Sequence, residues 1–222
     1  MASFTGCLLI AAFSFLRMAI PTHYLPPIAA TPIEQLLQTM RNIGPMPPAD
    51  EQLVRETYRA RAFARHQYLH RAGEACPCAV YIAHGVFREF HTDANNAEHT
   101  TRLAFDDYFT GDQQSLFSGE PSSYAIQCLE DAEGLTLDKA GYKHLFAHST
   151  TFGEFFRFRR NRSFNITIQQ MADRATKSAE QRYRELMREN PQIFQRVALK
   201  HIASCMGVTP ETLSRIRKSI AF

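Results

Sequence analysis

The sequence predicts an α+β chain with an N-terminal β jelly roll, a long connecting helix and a C-terminal helix-turn-helix. Three observations carry this. Short alternating apolar runs, separated by turn residues, occupy the stretch from Tyr58 to Asp138. Neither proline nor glycine occurs between Glu154 and Asn190, which suits a long helix. The charge also changes sign along the chain: residues 1–150 hold 11 Lys+Arg against 16 Asp+Glu, whereas residues 151–222 hold 14 against 6. An acidic module is thus followed by a basic one, and a basic module points to a polyanionic partner or to a solvated cationic face. The hydrophobic and charged fractions, 45% and 21%, are those of a globular chain rather than a disordered or membrane one. The expected organisation is an extension over 1–29, a roll over 30–145, a connecting helix over 146–176, and a helix-turn-helix unit over 177–222.

Residues 7–16 are apolar, but ten residues fall short of the roughly 20 that cross a bilayer. No Lys or Arg precedes them, so an extra packing helix, or translation beginning at Met18, is preferred to a signal peptide. Prolines mark 21–30 and 44–48 as linkers, and between them Ile33, Leu36, Leu37 and Met40 recur at helical spacing. Val80-Tyr81-Ile82 and Val86-Phe87-Arg88-Glu89-Phe90 read as strands. The turns are Ala72-Gly73-Glu74, His84-Gly85 and Thr92-Asp93-Ala94-Asn95-Asn96. Many short strands at this spacing suggest a barrel or jelly roll. From about Leu145 to Ala175, Phe152, Phe155, Phe156, Ile168, Met171 and Ala175 can line one helix stripe, open to dimerisation or to burial within the fold. Ser178-Ala179-Glu180-Gln181 has the form of a capping box. Asn190-Pro191 reads as the cap and first residue of a further short helix.

Residues 199–218 satisfy the demands of a helix-turn-helix one by one. Ile202 and Met206 face a core, and Ala203 is small where the helices meet. Gly207 permits a positive φ in the turn, and Val208 plugs it. Thr209 can cap the second helix, Pro210 suits its first position, and Leu213, Ile216 and Ile220 form its buried stripe. At about 100° per residue, Glu211, Ser214, Arg215 and Lys218 gather on the other side, where a recognition helix meets the major groove.

With these residues in view, the chain resembles the Crp/Fnr family of transcription regulators. Gly207-Val208-Thr209-Pro210-Glu211-Thr212-Leu213-Ser214-Arg215 is similar to that family's recognition-helix signature, in the variety found in Bacteroidetes-type members. Arg71-Ala72-Gly73-Glu74, Tyr81-Ile82-Ala83-His84-Gly85-Val86-Phe87-Arg88 and the stretch from Phe109-Thr110-Gly111-Asp112 to Ala125 resemble parts of its cyclic-nucleotide-binding-like roll. The resemblance implies a dimerising helix, a winged helix-turn-helix and a two-fold symmetric DNA site on double-stranded DNA. Glu211 and Arg215 would read bases, while Thr209, Thr212, Ser214 and Lys218 would hold phosphates. It also implies an effector site at Gly111, Asp112, Ser122 and Ser123. Members that bind cyclic nucleotides carry Gly-Glu followed, ten residues on, by Arg-Ser or Arg-Thr. Here the pairs are Gly111-Asp112 and Ser122-Ser123, so the arginine that would hold a phosphate is missing. A small-molecule effector other than cyclic AMP, or none, is expected. Pro210 stands where cyclic-AMP-responsive members have an arginine, which implies a different operator preference. The chain closes at Phe222, so the wing is expected to be truncated.

Other constellations are read plainly. Cys76-Pro77-Cys78 is a strand-connecting turn rather than a cluster or metal site, and five scattered cysteines fit a reducing cytoplasm. His144 and His148 lie four apart without a third ligand nearby in sequence, so no metal or other cofactor is expected. Asp106, Asp107 and Asp112 read as a solvated acidic loop. No nucleophile elbow, phosphate loop or dinucleotide fingerprint occurs, and the chain does not read as an enzyme. The alternative to DNA binding is a ligand-binding sensor that acts through a protein partner.

Overall fold

The computed structural model describes residues 31–220; the apolar run 7–16 and the proline-rich segment 21–30 lie outside the described residues. Helices α1 (Pro32–Arg41) and α2 (Pro48–Thr57) come first. Eight strands follow: β1 (Arg59–Phe63), β2 (Tyr68–His70), β3 (Ala79–His84), β4 (Phe87–Thr92), β5 (Glu98–Ala104), β6 (Tyr108–Thr110), β7 (Ala125–Cys128) and β8 (Ala132–Leu137), with the short α3 (Gln113–Ser118) between the sixth and seventh. Among the described residues six helices follow the strands: α4 (Lys139–His148), α5 (Thr150–Thr176), α6 (Ala179–Glu189), α7 (Ile193–Arg196), α8 (Leu199–Met206) and α9 (Pro210–Ile220).

The strands form two antiparallel four-stranded sheets, in the orders β1-β8-β3-β6 and β2-β7-β4-β5. Strand β3 shows why the roll is stable. Its side chains alternate between two faces, and both faces are covered. Val80 and Ile82 enter the core between the sheets with Phe63, Phe87, Ile126 and Cys128. Ala79 and Tyr81 face a second core against α1, α2, α4 and α5, with Leu36, Leu37, Met40, Val54, Leu145 and Phe152. The expected helix around Ile33 to Met40 is therefore α1, docked through its apolar stripe. Helix α2 buries chiefly Val54, a stripe too thin for the sequence to announce.

The expected single helix from about Leu145 is broken. Ser149 accepts the Phe152 N–H as cap of α5, and its hydroxyl donates to Asp50 at 2.6 Å, so the chain turns there and α4 is separate. The expected stripe is also divided. Phe152 and Phe155 are buried on the roll, while Ile168 and Met171 are exposed. The capping box at Ser178 and Gln181 forms with both hydrogen bonds. Asn190 does not cap the following helix; it ends α6, and Pro191 sits in the turn before α7, which begins at Ile193. Among the described residues no helix is long and apolar enough to cross a membrane.

Candidate nucleic-acid interface

Helices α6 to α9 share a core of Tyr183, Ile193, Val197, Ile202, Ala203, Met206 and Leu213, with Val208, Ile216 and Ile220 packed against it. The turn between α8 and α9 closes as the sequence requires. Gly207 takes φ +69°, a conformation that costs glycine little and a side-chain-bearing residue more. The Val208 N–H reaches back to the Ala203 carbonyl at 3.0 Å, a Schellman closure. Thr209 Oγ1 accepts the Thr212 N–H at 3.2 Å and so caps α9.

With Leu213 fully buried, the other side of α9 faces outward. Glu211, Arg215 and Lys218 are exposed, and Thr212 and Ser214 are half-buried. Arg215 Nη2 donates to Thr212 Oγ1 at 3.3 Å, a weak tether that leaves its other donors available. Hydrogen bonding to its own backbone N–H and to Thr209 lowers the Glu211 pKa, so this side chain stays an acceptor. Arg217 turns aside to lie over the Phe194 ring, 4.2 Å from its centroid. Thr209, Glu211, Thr212, Ser214, Arg215 and Lys218 are therefore brought onto one accessible surface, one that can accept from and donate to base edges and phosphates.

This head is fastened to the roll. Val86 and Leu129 of the roll belong to the same apolar core as Tyr183 and Ile202. Arg196 of α7 meets two roll carboxylates: Asp106, at 2.6 and 2.9 Å, and Glu130, at 3.0 and 2.5 Å. Arg88 of β4, only 1% exposed, lies over the Phe90 ring, pairs with Glu98, and donates to His201 Nδ1 of α8 at 2.6 Å. That donation requires a neutral imidazole. Burial first, and the Arg88 charge second, accordingly lower the His201 pKa to about 4. The Thr100 N–H donates to Ser204 Oγ at 2.8 Å.

The acidic residues read as a solvated loop are engaged within the chain, although Asp106 and Asp107 stay half-exposed. Asp106 grips Arg196. Asp107 accepts the hydroxyls of Tyr81 and Thr39, at 2.9 and 2.6 Å. Asp112 is buried and caps α3. The reason is tertiary: Asp106 and Asp107 find donors that only the folded chain brings near. The signal that sequence reasoning missed was an Arg-Glu pair, Arg88-Glu89, inside an apolar strand. A charge at such a position must be paired.

The residues expected to form an effector site meet around α3. Gly111 has φ +143°, and a Cβ there would lie 2.9 Å from Ala79 Cα, so only glycine fits. Asp112 Oδ1 accepts the Ser115 N–H at 3.1 Å, and Oδ2 accepts the Ser122 hydroxyl at 2.7 Å. Both carboxylate oxygens are thus engaged within the chain. Ser122 is buried and Ser123 exposed, and the adjoining cleft, about 120 Å³, is lined by Asp112, Ser115, Glu120 and Ser123 among others. Deeper in the roll Glu89 is held by Arg102 at 2.6 Å and by the Thr110 hydroxyl at 2.8 Å.

Cys76 and Cys78 are buried free thiols, and burial raises the Cys76 pKa to about 11. His144 and His148 are exposed, with ring centroids 4.7 Å apart. Among the described residues no group of three or more His, Cys, Asp or Glu is placed to hold a metal ion.

Comparison with known proteins agrees with this geometry. Residues 60–149 match the family model of the cyclic nucleotide-binding domain. No curated protein matches the sequence. Among solved structures, FixK2 from Bradyrhizobium japonicum is similar with TM-score 0.63 at 12% identity, over 74% of this chain and 84% of that one. A transcriptional regulator of the Crp/Fnr family from Eubacterium rectale gives 0.61 at 14% identity, over 79% and 84%. CooA from Carboxydothermus hydrogenoformans gives 0.60 at 13% identity, over 87% and 85%. Residues 60–149 thus match the cyclic nucleotide-binding domain, within a chain whose fold is like that of solved Crp/Fnr transcription regulators.

Proposed function

We propose that this chain is a sequence-specific DNA-binding transcription regulator that acts as a dimer. The observation that carries the reading is the outward face of α9, where Glu211, Ser214, Arg215 and Lys218 stand opposite a fully buried Leu213. Arg215 reads a guanine edge and Glu211 a cytosine amino group. Thr209, Thr212, Ser214 and Lys218 hold phosphates and set the docking register.

The dimer uses the far side of α5. Phe164, Ile168 and Met171 are 66%, 50% and 62% exposed, and with Ala175 they repeat at the spacing of a coiled-coil seam. Two heads joined in this way suit a two-fold symmetric site. The roll is the sensor, and its effector is not cyclic AMP. The position ten residues past Asp112 is a serine bonded to Asp112 itself, and no arginine stands there to meet a cyclic phosphate.

The test is selection of duplexes from a randomised DNA pool, followed by affinity measurement with Arg215→Ala. A loss of about 1–3 kcal/mol with relaxed preference at one base pair is expected. Failure of the wild-type chain to enrich any sequence would favour a sensor acting through a protein partner.

A further inference from the structure

We propose that Arg196 is a positioning residue for DNA recognition. Together with Asp106 and Glu130 it clamps the head to the roll and so fixes the direction in which α9 is presented. The inference rests on the DNA-binding reading of α9 and adds to it a determinant that lies outside the recognition surface.

The covalent link between α5 and α6 is short, only Lys177 and Ser178, and would by itself let the head swing. Arg196 of α7 ties the head to the roll at a second point. Its side chain is 19% exposed and its planar fork meets two carboxylates from two different loops, one between β5 and β6, the other between β7 and β8. A lysine, as a point charge, could not grip both in this geometry. The anchor is stiff as well. Asp106 also accepts the Gly85 N–H at 2.7 Å, and its neighbour Asp107, at φ +60°, is tied to β3 through Tyr81 and to α1 through Thr39. The contacts of Arg88 with His201 and of Thr100 with Ser204 fasten the next helix, α8, beside the apolar core that Val86 and Leu129 share with the head; Arg196 adds to these a grip on two loops at once. None of these groups lies on the outward face of α9.

The consequence belongs to two-headed binding. Half-sites one helical turn apart, roughly 34–36 Å, are met together only when both heads point in fixed directions. A head that swings keeps its own contacts and loses the effective concentration of the second site.

The experiment uses the full chain and two duplexes derived from the selected sequence, one with both half-sites and one with a single half-site. Arg196→Ala should weaken binding to the two-half-site duplex about tenfold or more, leave single half-site affinity within about twofold, and widen the tolerated half-site spacing. Arg196→Lys should fall between, and Glu130→Gln, which keeps the Asp106 pair, should show the same split more weakly. Circular dichroism and thermal melting confirm that each variant is folded. Equal losses on both duplexes, or no loss on either, overturn the clamp. A wild-type chain that binds neither duplex overturns the underlying DNA reading instead.

Discussion

Arg88 and His201 show how a single residue pair ties protonation to architecture. Arg88 is almost fully buried, and one of its donors is met by an imidazole that must be neutral to accept it. Around His201 stand Arg88, Lys200 and His66, which oppose its protonation, and Glu98, which favours it. Its folded pKa is about 4, against an ordinary 6.5, so the folded chain refuses a proton that the unfolded chain accepts. Stability is therefore full above about pH 6.5 and falls as the pH drops toward 4. Buried His70, whose pKa burial also lowers, adds to the same trend. Denaturant midpoints measured from pH 7 to 4 should decline, and His201→Asn should flatten part of that slope; an unchanged slope would show that the pair plays no part. Thr209 matters locally in a different way. Thr209→Ala removes the cap of α9 and should cost about 1 kcal/mol in chemical unfolding.

Among the elements, α5 does two jobs with two faces. At about 100° per residue, Phe152, Phe155, Phe156 and Arg159 fall on one side, and the first two are buried on the roll. Arg159 lies 4.7 Å from the Phe109 ring centroid. Phe164, Ile168, Met171 and Ala175 fall on the opposite side, further along. A charge within that second stripe should abolish self-association while the roll survives. Ile168→Asp is expected to sediment as a monomer where the wild-type chain sediments as a dimer, and a dimeric variant would place the interface elsewhere. In the head, Leu213 is fully buried and joins α9 to α8. Leu213→Ala should lose about 2–5 kcal/mol of stability, seen as a lowered unfolding midpoint.

Across the whole molecule the charge split has two outlets. Part of the cationic excess of residues 151–222 is spent internally, as Arg196 on Asp106 and Glu130, or Lys177 on Asp173 and Glu185. Among the described residues, Lys200 and Lys218 have no acidic partner within ion-pair distance, which leaves both open to the phosphates of the proposed DNA site. DNA affinity should fall linearly in a double-logarithmic plot against salt, with a slope near −0.9 for each phosphate contacted, or about −4 to −8 for a two-headed complex. A flat plot, from equilibrium binding at several salt concentrations, would rule out phosphate-anchored docking. Calorimetry with cyclic AMP should give no micromolar binding, because the chain spends Asp112 on Ser115 and Ser122.

Local chemistry is what the sequence by itself determined. The strand alternation around Val80, the turn at Gly207, the cap at Thr209, the capping box at Ser178 and the two-sidedness of α9 all depend on near neighbours, and each is found as read. The tertiary structure alone decided the fate of charges and of the long helix. Asp106 and Asp107 read as a solvated loop because their partners Arg196, Tyr81 and Thr39 lie far away in sequence, as His201 does from Arg88. The break at Ser149 likewise depends on Asp50, from an element whose apolar stripe was too slight to announce it. Period and capping are properties of a few adjacent residues; the pairing of a buried charge is a property of the fold, which pairs it with whatever the packing brings near.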